Sequence, residues 1–170
     1  MRVWVDTETS GLDPTSDLIL EVAAVGESDG VRFRSLANPG EEALERVKGC
    51  YALRVNGLTI EELRAAPPLE MVAETFKVWL RELGAVELWA YNTQFDSGFL
   101  AQKPWEISNL CWGGCVMKLV ANGRRWPKLG DVAARMGLEF EGAAHSALAD
   151  AKMAKRVHLE LERQMAGRLV

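Results

Sequence analysis

The chain has 170 residues, 48% of them hydrophobic, which is enough for one sizeable core in one domain spanning residues 1–170. Its 20 basic and 24 acidic side chains leave a net charge of -4, so no global positive field gathers a polyanion; a nucleic-acid partner would need a local basic patch or bound cations. Three unevenly spaced cysteines (Cys50, Cys111, Cys115) exclude a disulfide framework and give no zinc spacing, and the absence of a transmembrane-length apolar run or a leader pattern points to a cytoplasmic protein with no membrane partner.

In chain order, residues 2–6 (Arg-Val-Trp-Val-Asp) read as a buried strand, and Leu18 to Val25 and Val31 to Leu36 as two more. The connections are short and turn-forming, with Ser28-Asp29-Gly30 between the second and third, so the three strands form an antiparallel meander. Asn38-Pro39-Gly40 marks a turn, and helical periodicity follows. A short helix is predicted over Thr59 to Arg64 and a longer one over Leu69 to Leu83, separated by Pro67-Pro68. Val86 to Tyr91 reads as a fourth strand, Phe95 to Leu100 as the start of a helix, and Ile107 to Cys111 as a short fifth strand. Helices are predicted over Leu129 to Met136 and Ala147 to Met165. A meander followed by alternating helices and strands gives an α/β fold with a mixed sheet. The order resembles an RNase H-like fold, a five-stranded sheet flanked by helices.

Three segments carry candidate chemistry. In Asp6-Thr7-Glu8, residues two apart on a strand share a face, so the two carboxylates lie side by side. Adjacent anions repel unless a cation lies between them, and hard oxygen ligands suit Mg²⁺ or Mn²⁺. Taken alone, an Asp-x-Glu pair is a common solvated strand end. In Tyr91-Asn92-Thr93-Gln94-Phe95-Asp96, Asp96 falls in the first turn of the helix after the fourth strand, beyond its C-terminal end, where α/β sites gather; an acid there also simply complements a helix N-terminus. In His145-Ser146-Ala147-Leu148-Ala149-Asp150, His145 and Asp150 would sit about 140° apart on one continuous helix, which favours Asp150 on the helix and His145 on a loop before it, near Gly142.

Together, in this order, the segments resemble the DnaQ-like family of DEDDh exonucleases. Asp6-Thr7-Glu8-Thr9-Ser10-Gly11-Leu12 is similar to its first motif, Asn92 to Asp96 with Gly98-Phe99-Leu100 to its second, and His145 to Ala151 to its third. Asn38-Pro39, Gly57-Leu58-Thr59 and Lys128-Leu129 match landmarks between the motifs. Three positions depart from the commonest pattern: Tyr91 and Asn56 stand where relatives often have His, and Ser146 where Arg is frequent.

The resemblance implies a metal-dependent 3′–5′ exonuclease that releases nucleoside 5′-monophosphates. Asp6, Glu8, Asp96 and Asp150 would hold two Mg²⁺ or Mn²⁺ ions, and His145 would serve as general base. Thr9, Gly11 and Leu12 would hold the terminal nucleotide, with Asn92 and Phe95 near the base. Arg124, Arg125 and Trp126 lie in the densest basic stretch and are candidates for gripping the strand. The expected substrate is the 3′ end of single-stranded DNA, with RNA trimming as the alternative and an inactive docking module as a third reading. The short stretch after the last helix favours a free-standing enzyme over a subunit tethered to a DNA polymerase.

Overall fold

The computed structural model describes residues 1–28, 30–84, 87–107, 111–121, 126–141 and 146–167. Its centre is a five-stranded sheet in the order β3-β2-β1-β4-β5. Strands β1 (Arg2–Thr9), β2 (Ile19–Gly26) and β3 (Arg32–Leu36) pair antiparallel, as the short turns between them require. Strands β4 (Glu87–Ala90) and β5 (Cys111–Cys115) add parallel to β1, each reached through helices. The mixed sheet expected from the sequence is present.

Side-chain alternation along β1 sorts the two layers. Val3 and Val5 pack with Leu69, Val72 and Phe76 of α4 (Leu69–Glu82) and with Phe99 and Leu100 of α5 (Thr93–Leu100). Trp4, on the opposite face, packs with Val132 of α7 (Leu129–Arg135) and with Met153 and Val157 of α8 (Ala147–Ala166). Continuing this alternation puts Asp6 and Glu8 on the α8 side. β1 is longer than the predicted 2–6 and contains both acids, with Glu8 next to its last residue.

Three short helices escaped the sequence reading: α1 (Glu41–Val47), α2 (Tyr51–Asn56) and α6 (Val116–Ala121). Each has at most two turns, too few for periodicity to register, and α2 buries only Leu53. The helix predicted over Thr59 to Arg64 is α3 (Ile60–Ala65), with Thr59 and Glu62 forming a reciprocal capping box.

A fifth strand occupies Cys111–Cys115; of the strand expected over Ile107 to Cys111, positions 108–110 lie outside the described residues. Gly113 and Gly114 disguise it, because paired glycines read as a turn. The indole of Trp89 on β4 lies over them: a Cβ at Gly113 would fall 2.4 Å from Trp89 Nε1, and one at Gly114 would fall 2.7 Å from the ring. Glycine here makes room for a neighbouring strand's large side chain. Of the three tryptophans close together in sequence, Trp105 is buried in the core cluster that Trp112 packs against, and Trp126 is exposed. All three cysteines are free thiols, and among the described residues no helix is long and apolar enough to cross a membrane.

Candidate active site

Asp6 and Glu8 extend from β1 toward α8, where Asp150 sits in the first turn. One carboxylate oxygen from each of the three lies within 4.8 Å of the others. Burial is the main force raising the Asp6 carboxyl well above its usual range, followed by the charges of Asp96, Asp150, Glu8 and Glu21. Glu8 is pushed up to about 8, again by burial first and then by Asp150, Glu21 and Asp96. Crowded, partly desolvated carboxylates with hard oxygen donors fit a divalent cation such as Mg²⁺ or Mn²⁺, which would offset their mutual repulsion.

Asp96 reaches the same end of the sheet from α5. β4 pairs with β1 only as far as Trp4↔Trp89, so the later part of β1 has no strand on that side. Asp96 takes the place of the missing neighbour. Its Oδ1 accepts the Thr7 backbone N–H at 3.1 Å and the Thr7 hydroxyl at 2.9 Å. Burial pushes its carboxyl up to about 7, opposed by these two hydrogen bonds. The second motif is thus joined to the residue between the two acids of the first. The sequence marks Thr7 only by its place inside Asp-x-Glu.

Helix α8 begins at Ala147, capped by the Ser146 hydroxyl, which accepts the Ala149 N–H at 3.4 Å. His145 itself lies outside the described residues, as do Gly142, Arg124 and Arg125.

The turn after β1 is held from within. The Thr9 hydroxyl donates to the Gly11 carbonyl at 2.6 Å. Asp17 accepts from the Ser10 hydroxyl and the Asp13 N–H, both at 3.0 Å. A Cβ on Gly11 would fall 2.3 Å from an Asp17 oxygen, so a larger residue there would have to displace the carboxylate that holds the turn. Leu12 is left 83% exposed. Together with Pro14, Asn92, Gln94 and Phe95 it lines an open cavity of about 320 Å³. Three of the predicted substrate residues, Leu12, Asn92 and Phe95, are thereby brought together. Trp126 is exposed, and Thr9 is buried with its hydroxyl engaged in the turn.

Two departures from the family pattern have local partners. The Tyr91 hydroxyl donates to the Pro127 carbonyl at 2.7 Å, tying the second motif to the segment before α7. Ser146 is the α8 N-cap, a position that favours a short hydroxyl side chain over arginine.

The exonuclease family RNase_T matches residues 3–158. An uncharacterized exonuclease, CP81, of Escherichia phage 186 is 28% identical over 170 aligned positions, covering 89% of this chain and 83% of that one. The PolC-type DNA polymerase III of Bacillus cereus is 34% identical over 101 positions, covering 58% of this chain but only 6% of the polymerase. The nuclease domain of 3′hExo, a DEDDh family member whose structure was solved with rAMP bound, superposes with a TM-score of 0.70 at 17% identity, covering 96% of this chain and 92% of that one.

Proposed function

The chain belongs to the DnaQ-like 3′–5′ exonuclease family, and from that premise we propose that it hydrolyses the terminal phosphodiester of single-stranded DNA with the help of two divalent cations. The observation that carries this reading is the convergence of Asp6, Glu8 and Asp150 within 4.8 Å, beside the buried Asp96. DNA is favoured over RNA by the 34% identity over 101 positions to a segment of a DNA polymerase. The rAMP bound to the 3′hExo domain keeps RNA as the competing substrate in the test below.

In this reading Asp6, Glu8 and Asp150 hold the cations, and Asp96, anchored on Thr7, completes the acidic ring from the other side of the sheet end. Divalent cations bound there would supply Lewis-acid chemistry, making a water more acidic and offsetting charge on the departing 3′ oxygen. His145 takes the proton of the attacking water as general base, a role suited to an imidazole that is neutral near pH 7. The phosphorus–oxygen bond to the penultimate nucleotide breaks, releasing a nucleoside 5′-monophosphate and a new 3′ hydroxyl.

Polarity and strand preference belong to the cavity beside Leu12. The terminal base enters between Leu12, Asn92 and Phe95, and the exposed Leu12 side chain wedges against the next base. Thr9 and Gly11 act through the turn that presents Leu12. Arg124, Arg125 and Trp126 contact phosphates and bases farther along the strand. The related segment within a DNA polymerase makes such an enzyme the second partner class.

The test is a gel assay with 5′-labelled single-stranded DNA and RNA of one sequence, with Mg²⁺, with Mn²⁺ and with EDTA. A ladder shortening from the 3′ end of DNA, absent in EDTA, is the expected result. Faster degradation of RNA would transfer the reading to RNA trimming, and no metal-dependent shortening of either strand would overturn it.

A further inference from the structure

Glu21 is a carboxylate that the motifs do not include. It lies on β2 directly opposite Glu8 and is 1% exposed. Cross-strand partners share a sheet face, so a second acid lies beside the acidic cluster, where like charges disfavour one another. Its two oxygens are both engaged. Oε1 accepts from Arg34 Nε at 2.5 Å, and Oε2 accepts the backbone N–H of Ala147 at 3.2 Å. Arg34 stands on β3 and is half exposed, so the connection runs from the sheet surface to the interior.

Ala147 is the first residue of α8, and its N–H is one of the four that a helix leaves without an internal partner. Ser146 supplies the cap two residues on, at Ala149, and Glu21 satisfies Ala147 from the sheet. A carboxylate at that place is also aligned with the positive end of the helix dipole. Asp150 lies three residues farther along the same turn, and His145 two residues before it. The link Arg34–Glu21–Ala147 therefore fixes the helix start that carries one acidic ligand to the strand pair that carries the others.

We propose that Glu21 is a positioning residue that docks the start of α8 on β2 and thereby sets Asp150 against Asp6 and Glu8. The proposal rests on the metal-dependent reading of that cluster. Both Glu21 oxygens are committed to protein donors, so it serves the site through the helix and not as a ligand.

Three variants test it, each read by Mn²⁺ titration in the absence of substrate, by kcat and KM, and by thermal melting. Glu21→Met with Arg34→Met removes the buried pair without leaving an unpaired charge. It should melt close to wild type, weaken Mn²⁺ binding and kcat roughly 10–100-fold, and leave KM nearly unchanged. Glu21→Gln keeps an acceptor for Ala147 and should retain most of the Mn²⁺ affinity. Ala147→Pro removes the N–H at a helix position where proline is tolerated and after a residue, Ser146, already extended, but it also brings a ring into a fully buried position, so it is read beside its melting curve; melting like the wild type, it should reproduce the loss with Glu21 intact, and it then decides the matter if the double variant does not fold. Wild-type Mn²⁺ affinity in a folded double variant or in Ala147→Pro would overturn the proposal, as would a Glu21→Gln protein as impaired as the double variant. A wild-type protein without nuclease activity would sink the functional reading instead, while the Mn²⁺ titrations still judge Glu21.

Discussion

Asp96 and Thr7 are joined twice through one oxygen: Oδ1 of the aspartate accepts both the backbone N–H and the hydroxyl of the threonine. The strand thereby fixes how the carboxylate is turned, and the second oxygen is left for other work. Thr7→Val keeps the side chain's shape and the backbone bond but removes the hydroxyl. Losing that buried hydrogen bond should cost about 1 kcal/mol of stability. Because the acid is then held once instead of twice, kcat should fall by roughly tenfold or more. Steady-state kinetics beside a melting curve separate the two effects, and unchanged kcat would mean that α5 alone orients Asp96.

The crowding of Asp6, Glu8 and Asp150 makes the cation-free protein pH-sensitive in a defined direction. Glu8 is raised from 4.5 to about 8 in the folded state, so the folded state binds more protons than the unfolded chain across that interval. Stability is therefore lost as pH rises through it. His158 is lowered by burial, so it opposes this trend only below its ordinary value of 6.5. In EDTA the melting temperature should fall between about pH 6.5 and pH 8. Saturating Mn²⁺, which binds the ionised acids, should raise it most at the upper end. Equal melting temperatures at both pH values in EDTA would contradict the electrostatic account.

The same strain gives a mutational signature. Asp6→Asn and Asp150→Asn should each abolish hydrolysis while raising the melting temperature of the cation-free protein, since each removes one of several like charges. Substitutions that merely damaged the fold would lower both. Measurable turnover in either variant at saturating Mg²⁺ would remove the cation-holding role of that side chain.

His145→Ala should leave Mn²⁺ binding and substrate KM in place and lower kcat by roughly 10²–10⁴-fold, the usual span for loss of a general base. The acid limb of the wild-type pH–rate profile should change in the variant. A variant with nearly full kcat and an unaltered profile would leave the third motif resting on Asp150.

Leu12 offers a test of substrate binding free of stability effects. At 83% exposure it contributes little to the core, so Leu12→Ala should melt like the wild type. If its side chain wedges against the penultimate base, the loss of one base contact worth about 1–3 kcal/mol raises KM for single-stranded substrate. An unchanged KM with both DNA and RNA would assign Leu12 to the turn alone.

The sequence by itself determined the mixed direction of the sheet and which acids gather beside it. The short turns between the first three strands force antiparallel pairing, and period-two alternation puts Asp6 and Glu8 on one face whatever surrounds them. The start of the last helix near Ala147 was legible as well. Such features depend on residues close together in the chain, where spacing and backbone geometry suffice. What only the tertiary structure decided are contacts between residues 89 and 126 positions apart. Thr7 reads as an ordinary strand residue until β4 ends early and α5 brings Asp96 to the open edge. Glu21 looks like a polar interruption in an apolar strand until α8 delivers the Ala147 N–H to it. The same reason hid β5, whose paired glycines make sense only beneath the Trp89 ring of the next strand. In each case the partner that gives the residue its role is set by packing, and packing brings together positions between which the sequence carries no periodic relation.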